Sequence, residues 1–470
     1  VSGYNHKENN GQNNSTFGST QIVKNTINTL TSGLSNQTLS SNQSGIIGKS
    51  NIVTNITDTF VSGNNNTITN TYNSIIGGLN HNDTSGNANT ILGNNQTSNN
   101  SINNVVTGKD NTILNENNSV LSGDTNTLKN GENNATMGKN NVIDDASQTL
   151  ATGENNQITT EQSSIISGKD NTISSGIYNA ISGLLNTVTN AHQTIVSGKS
   201  NNVTNTSNSI LSGDTNVYMD DYEIINVGTG NNIHTVSDTA VFGKSHDISN
   251  NTTNSLISGN TNKENNGTNN VTFGEENKSY RSKNDIVGGK NNMSYDSSKN
   301  AVFGEANQLN NMGSSIISGK NITTKDSNRN AIIGMIHDIS ENTINSIVGG
   351  NNNKEGKGEN NITFGNSNTV YNSLNNMTGG ISNKTLDSSN NTVNGASNYI
   401  KNTGESLIIG DTNTVMDEKR VFIFGKKNNI SGNSKDILVL GRENVENGGD
   451  NSILFGYKNE NTSAISSMVM

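Results

Sequence analysis

Glycine recurs at every fifteenth residue of this chain: Gly3, Gly18, Gly33, Gly48, and on without a gap to Gly243. One extra residue then gives Gly259, and the step of 15 resumes as far as Gly334. The same one-residue slip separates Gly334 from Gly350 and Gly425 from Gly441. In all, 31 framing glycines run from Gly3 to Gly456, with 27 steps of 15 and three of 16. A period this short specifies a stack of near-identical coils, each touching only its neighbours.

The period settles what composition leaves open. Of 470 residues only 28% are hydrophobic, about a fifth are Asn, and Cys, Pro and Trp are absent. Without a repeat, such a chain buries too little apolar surface to offset its ordering entropy. A net charge of -10 with 29 Lys and Arg spread thinly leaves no basic stripe for phosphates, which argues against a nucleic-acid partner. No apolar run is long enough to span a bilayer as a helix, and no signal segment opens the chain. The lack of Cys excludes disulfides and thiolate metal sites.

Each place in the coil has its own chemistry. Two residues before the framing Gly stands Val, Ile, Leu or Thr in 29 of 31 coils, the exceptions being Ala151 and Asn226. One place earlier is usually apolar too, ranging from Ala180 to Phe422, and all nine Phe lie one or three places before a framing Gly. β-branched and aromatic residues favour strands, and neighbours on a strand point to opposite faces. In SIISGKDNTI (164–173), Ile165 and Ile166 therefore serve opposite faces, one the interior and one a surface that another chain covers. The spacing alone does not say which is which.

Three places after the Gly stands Asn in 24 of 31 coils, and six of the seven exceptions are His6, Gln21, His81, Gln96, His246 and His337. Only Ile322 breaks the pattern. These side chains both donate and accept hydrogen bonds, so stacked coils form a ladder through Asn66, Asn111, Asn126, Asn171, Asn201, Asn307 and Asn413. Two places further on, Ile or Val is common, as in Ile68, Ile113, Ile173, Val203 and Ile430. The expected fold is all-β, a parallel solenoid of about 31 coils. At about 4.8 Å per coil the stack would be on the order of 145 Å long.

The slips are 91 residues apart, and the text around them repeats: the coils beginning FGKSHDIS at 242 are echoed by those beginning IGMIHDIS at 333. Residues 243–470 thus contain a super-repeat of six coils. Residues 1–470 read as one β-roll domain cut within a coil at both ends, a piece of a longer protein.

No catalytic constellation emerges, and no cofactor or metal site is expected. The Gly-x-Gly at 228–230 lacks a following helix and is no phosphate loop. The irregular coil Tyr218-Met219-Asp220-Asp221-Tyr222-Glu223 replaces the usual Asn, Ser and Thr with aromatics and acids. Exposed Tyr beside charge anchors partners, so Tyr218, Asp220, Asp221, Tyr222 and Glu223 are the candidate partner-binding residues. A second candidate surface lies near Lys263-Glu264 and Lys354-Glu355.

A short apolar strand followed by Gly-x-x-Asn-x-Ile, as in Asn300-Ala301-Val302-Phe303-Gly304, resembles the head repeats of trimeric autotransporter adhesins, the YadA-like family. The resemblance covers essentially the whole chain. The family step is commonly 14, and its small residue after the Gly is Asn here. The resemblance implies a left-handed parallel β-roll, assembled as a homotrimeric, non-enzymatic adhesin head on the outer membrane of a Gram-negative bacterium. It implies host partners such as carcinoembryonic-antigen-related adhesion molecules or matrix proteins. From other classes come a structural solenoid, whether a surface filament or an ice-binding protein, and a carbohydrate-processing β-solenoid. Ice binding wants a regular Thr array, and Thr here wanders between positions; the carbohydrate reading wants a carboxylate pair in a cleft.

Overall fold

A computed structural model describes residues 1–463 and 465–470. The chain forms two compact units, Val1–His234 and Thr235–Met470. Each is a parallel β-solenoid with no helix among its described residues, and the frame counts about 31 coils in all.

The coil around Gly168 shows the plan. Strand Ile165–Lys169 carries the framing Gly, and strand Thr172–Ile177 follows it. The first pairs in parallel with the strand fifteen residues on, Ile165 opposite Ala180 and Gly168 opposite Gly183. The second does likewise, with Ile173 opposite Val188. Two sheets result: a long sheet of mostly five-residue strands holding the frame, and a short sheet whose strands are mostly three residues. Ile166 and Ile173 are buried between them, whereas Ile165 is 55% exposed. The opening ambiguity is thereby resolved: the row two before the Gly is the core, and the rows one and three before it form the outer face.

The frame is glycine because of its neighbour. Gly168 has φ of 115°, and a Cβ there would lie 2.9 Å from the carbonyl carbon of Gly183 and closer still to its oxygen. Three further residues per coil turn corners at positive φ, such as Asn65, Asn70 and Asn73 at 57°, 52° and 52°. Asn tolerates this left-handed region better than most L-residues. Much of the unusual Asn content therefore sits at corners, a demand separate from the ladder.

Corner side chains also bond along the stack. Asn100 donates to Asn115 at 3.1 Å, Asn115 to Asn130 at 2.9 Å, and Asn130 to Asp144 at 3.2 Å. Asn190, Asn205 and Asp220 form a second such run. Every amide donates toward the next coil, and an acceptor-only Asp ends each of these runs.

In the 16-residue coils the extra residue is taken up at a corner. Asn250 and Asn251 are both at positive φ, as are Glu341 and Asn342. The long-sheet register is kept, with Ala240 opposite Leu256 and Ala331 opposite Ile347.

Candidate functional site

The seven asparagines singled out by spacing lie on interior ladders within each unit, and Ile322 interrupts the second: its N–H donates to Asn307 Oδ1 at 3.0 Å, but its own side chain has no group to pass the bond on. Asn171 shows its geometry: the side-chain amide donates to Asn156 Oδ1 at 2.9 Å and to the Gly183 carbonyl at 3.1 Å, while its own Oδ1 accepts the Asn186 N–H at 3.1 Å. Asn66, Asn111, Asn126, Asn201, Asn307 and Asn413 are equally buried. His81 joins the same ladder: Nδ1 accepts the Gln96 N–H at 3.3 Å, and Nε2 lies 2.9 Å from the Gly77 carbonyl, which requires the neutral Nε2–H tautomer. Burial holds the His81, His246 and His337 imidazoles below their usual range. A second interior ladder, four residues before each framing Gly, went unread in the sequence. Asn179 donates to the Ala191 carbonyl at 2.8 Å and accepts the Thr194 N–H at 3.2 Å. Its sequence signal is Asn, Ser or Thr at that place in 26 of the 30 coils from Gly18 to Gly456, the exceptions being Ile224, Asp285, Val421 and Ile437.

The irregular coil does not present the expected patch. Tyr218 is buried in the core, where its hydroxyl accepts from Asn226 Nδ2, and Asp221 is buried as well. Asn226 in turn accepts from Asn231 at 2.8 Å. The reason is positional: Tyr218 stands where Ile173 stands in its coil and Asn226 where Ile166 does, so the two departures face each other across the core. Asp220, Tyr222 and Glu223 are exposed, at corners and a bridge.

The Lys263-Glu264 and Lys354-Glu355 surface is corrected in the same way. Glu264 and Glu355 are interior, on strands Lys263–Asn265 and Lys354–Gly356. Glu264 accepts from Ser255 at 3.0 Å, Asn270 at 2.9 Å and Thr272 at 3.3 Å. Glu355 repeats this with Ser346 at 2.6 Å, Asn361 at 3.0 Å and Thr363 at 3.5 Å. Burial pushes the Glu264 carboxyl up to about 7, and the like charge of Asp285 adds to it. Asp83, Glu116 and Glu418 are raised by burial to about 6, 7 and 8. A readable signal existed: Gly267 and Gly358 follow three residues after the acids, and a Cβ on Gly358 would lie 2.5 Å from Glu355 Oε1.

Among the described residues no three His, Cys, Asp or Glu converge as a metal site. A shallow groove at Asp387, Asp417 and Glu418 also carries Lys419 and Lys435, and it is where a carbohydrate-cleaving carboxylate pair would be sought.

What remains is the outer face of the long sheet. In Val1–His234, no Asp, Glu, Lys, Arg or His stands one or three places before a framing Gly. From Val105 to Ser212 the inner row reads Val105, Val120, Ala135, Leu150, Ile165, Ala180, Ile195, Ile210. Beside it run Thr107, Ser122, Met137, Thr152, Ser167, Ser182, Ser197 and Ser212. Hydroxyls link along the row, Thr107 to Ser122 at 3.0 Å and Ser197 to Ser212 at 3.0 Å. The outer face of the short sheet is less uniform, interrupted by the exposed Lys129–Asp144 pair at 3.9 Å.

The comparisons fall on this region. Residues 91–189 match the sequence model of the family described as grass antifreeze β-roll. No curated protein matches the chain.

Proposed function

We propose that the uncharged outer face of the long sheet in Val1–His234 is an ice-binding surface. The observation that carries this is a coincidence of place: the face pairs a methyl-rich row with a hydroxyl row, strand after strand, within the segment that resembles an antifreeze β-roll. Parallel strands set side chains about 4.8 Å apart along the stack and about 6.6 Å apart along each strand, a scale comparable with the water spacings of ice. A rigid backbone holds that array without further ordering entropy at contact. The wandering Thr counted against this reading in the sequence, but the array pools Val, Ile, Ser and Thr on one face, so Thr alone was the wrong residue to track. No chemical step is involved.

The test is thermal hysteresis and ice-crystal shaping by the intact chain. A bulky Ser167→Tyr should abolish shaping, while Thr187→Tyr on the short sheet should leave it unchanged. Equal loss from both, or no shaping by the parent chain, would overturn the assignment. The adhesin-head reading would use the same face as a contact between chains, and its support is the motif resemblance.

A further inference from the structure

In Thr235–Met470 the same outer face has different chemistry, and its pattern is self-complementary. We infer that it is an interface between two antiparallel copies of this chain. Eight large side chains point outward across eight coils: Phe242, Leu256, Phe273, Ile286, Phe303, Ile316, Ile333 and Ile347, each 37 to 59% exposed. No charge interrupts them at either outer row. Large and small alternate from coil to coil in the row before the Gly: Phe242, Ser258, Phe273, Gly288, Phe303, Ser318, Ile333, Gly349. Where that residue is large, the one two places earlier is mostly small, as in Ala240, Ala301 and Ala331.

Consider a two-fold axis lying along the strand direction, midway between strands Ile286–Lys290 and Ala301–Glu305. It brings each coil against one of opposite size in the other copy. Gly288 faces Phe303, Phe273 faces Ser318, Leu256 faces Ala331, Phe242 faces Gly349, and Ile347 faces Ala240. In the four coils nearest the axis the residue after the Gly carries the matching electrostatic pattern: Glu275, Lys290, Glu305, Lys320. Within one chain these already pair, Lys290 with Glu275 at 3.2 Å and Lys320 with Glu305 at 3.0 Å. Reversed against itself, the series sets Glu275 opposite Lys320 and Lys290 opposite Glu305. Any axis parallel to the stack, two-fold or three-fold, would instead put identical coils level, Glu275 against Glu275 and Phe273 against Phe273. Like charges at such contacts are costly.

The area approaches that of a standard interface. Phe side chains carry about 150–250 Å² each and Leu and Ile somewhat less, so at 37 to 59% exposure the eight present on the order of 600 Å² of apolar surface before their small neighbours are added. A standard interface buries about 800 Å² per partner, and the largest patch on an ordinary monomer is about 300–600 Å². A two-fold interface of this kind is closed and does not propagate.

The test is the mass of the intact chain by light scattering, with engineered thiols to read the arrangement, since the chain has no Cys of its own. The expected mass is twice 49.7 kDa. The double variant L256C/A331C should form an interchain disulfide dimer under mild oxidation, while each single variant stays unlinked. Leu256 and Ala331 lie five coils apart within one chain, so they cannot bridge internally. Cross-linking by a single variant, which reports identical coils side by side, would overturn the inference. So would a mass of one or three chains.

Discussion

The two units share one backbone plan and differ in what they turn outward. Around Gly168 the outer pair is Ile165 and Ser167; around Gly304 it is Ala301 and Phe303. Both strands pair in register over five residues, and both bury the residue between, Ile166 and Val302. The interior is therefore set by the fold, and the outer face is the part free to vary. A face of small hydroxyls beside methyls suits an ordered water lattice, whereas alternating rings and glycines suit a reversed copy of themselves.

That comparison can be broken at its common element first. Gly168→Val and Gly304→Val should be equally destructive, each costing more than about 4 kcal/mol in urea unfolding, because both frames meet the next coil's backbone. Unequal losses would mean the frames differ. Next in size is the contrast within one strand: Ile166→Ala should cost about 2–5 kcal/mol and Ile165→Ala within about 0.5 kcal/mol. Exchanging the outer chemistry sharpens the functional split. Phe303→Ser should weaken association of the chain, read by light scattering, and leave ice shaping intact; Ser167→Phe should do the reverse.

A smaller effect is a pH dependence that both units share, through Glu116 in the first and Glu264 in the second. The folded carboxyl of Glu264 sits at about 7, above its unfolded value near 4.5, so the folded state holds the extra proton between these limits. The stability it contributes is present below the unfolded value and is lost as pH rises toward 7 and beyond. The thermal midpoint of Thr235–Met470 within the intact chain should therefore fall by several degrees between pH 5 and pH 8. Glu264→Gln should flatten that slope. The buried imidazoles act with the opposite sign: their depressed values remove stability as pH falls through about 6.5.

The fold was legible because its signals are local and repeated. Gly frame, aliphatic row and Asn row each recur at one spacing, and the structure places Ile173 and Asn171 where that spacing implies; which of Ile165 and Ile166 faces the interior was left open by spacing and is decided by burial. The core's polar layers were not legible, because they are pairings between two positions eight or seven residues apart. Thr378 bonds Thr385 at 3.0 Å, Thr31 bonds Thr38 at 3.3 Å, and Tyr218 meets Asn226, each pair spanning the core. Read one column at a time, Tyr218 looked like a surface aromatic; read with Asn226, it is half of a buried pair. Glu264 misled for the same reason, since its partners Ser255, Asn270 and Thr272 belong to other columns.

The 16-residue coils bear on inheritance. An added residue is absorbed at a corner, between Asn250 and Asn251 or Glu341 and Asn342, without moving the strands on either side out of register. A gene for such a chain can gain or lose whole coils by unequal recombination, and it can tolerate a single-codon insertion if that falls at a bend. An insertion inside a strand would invert every side chain after it until the next glycine. Copy number and bend length are thus open to change, and the strand segments are closed to it.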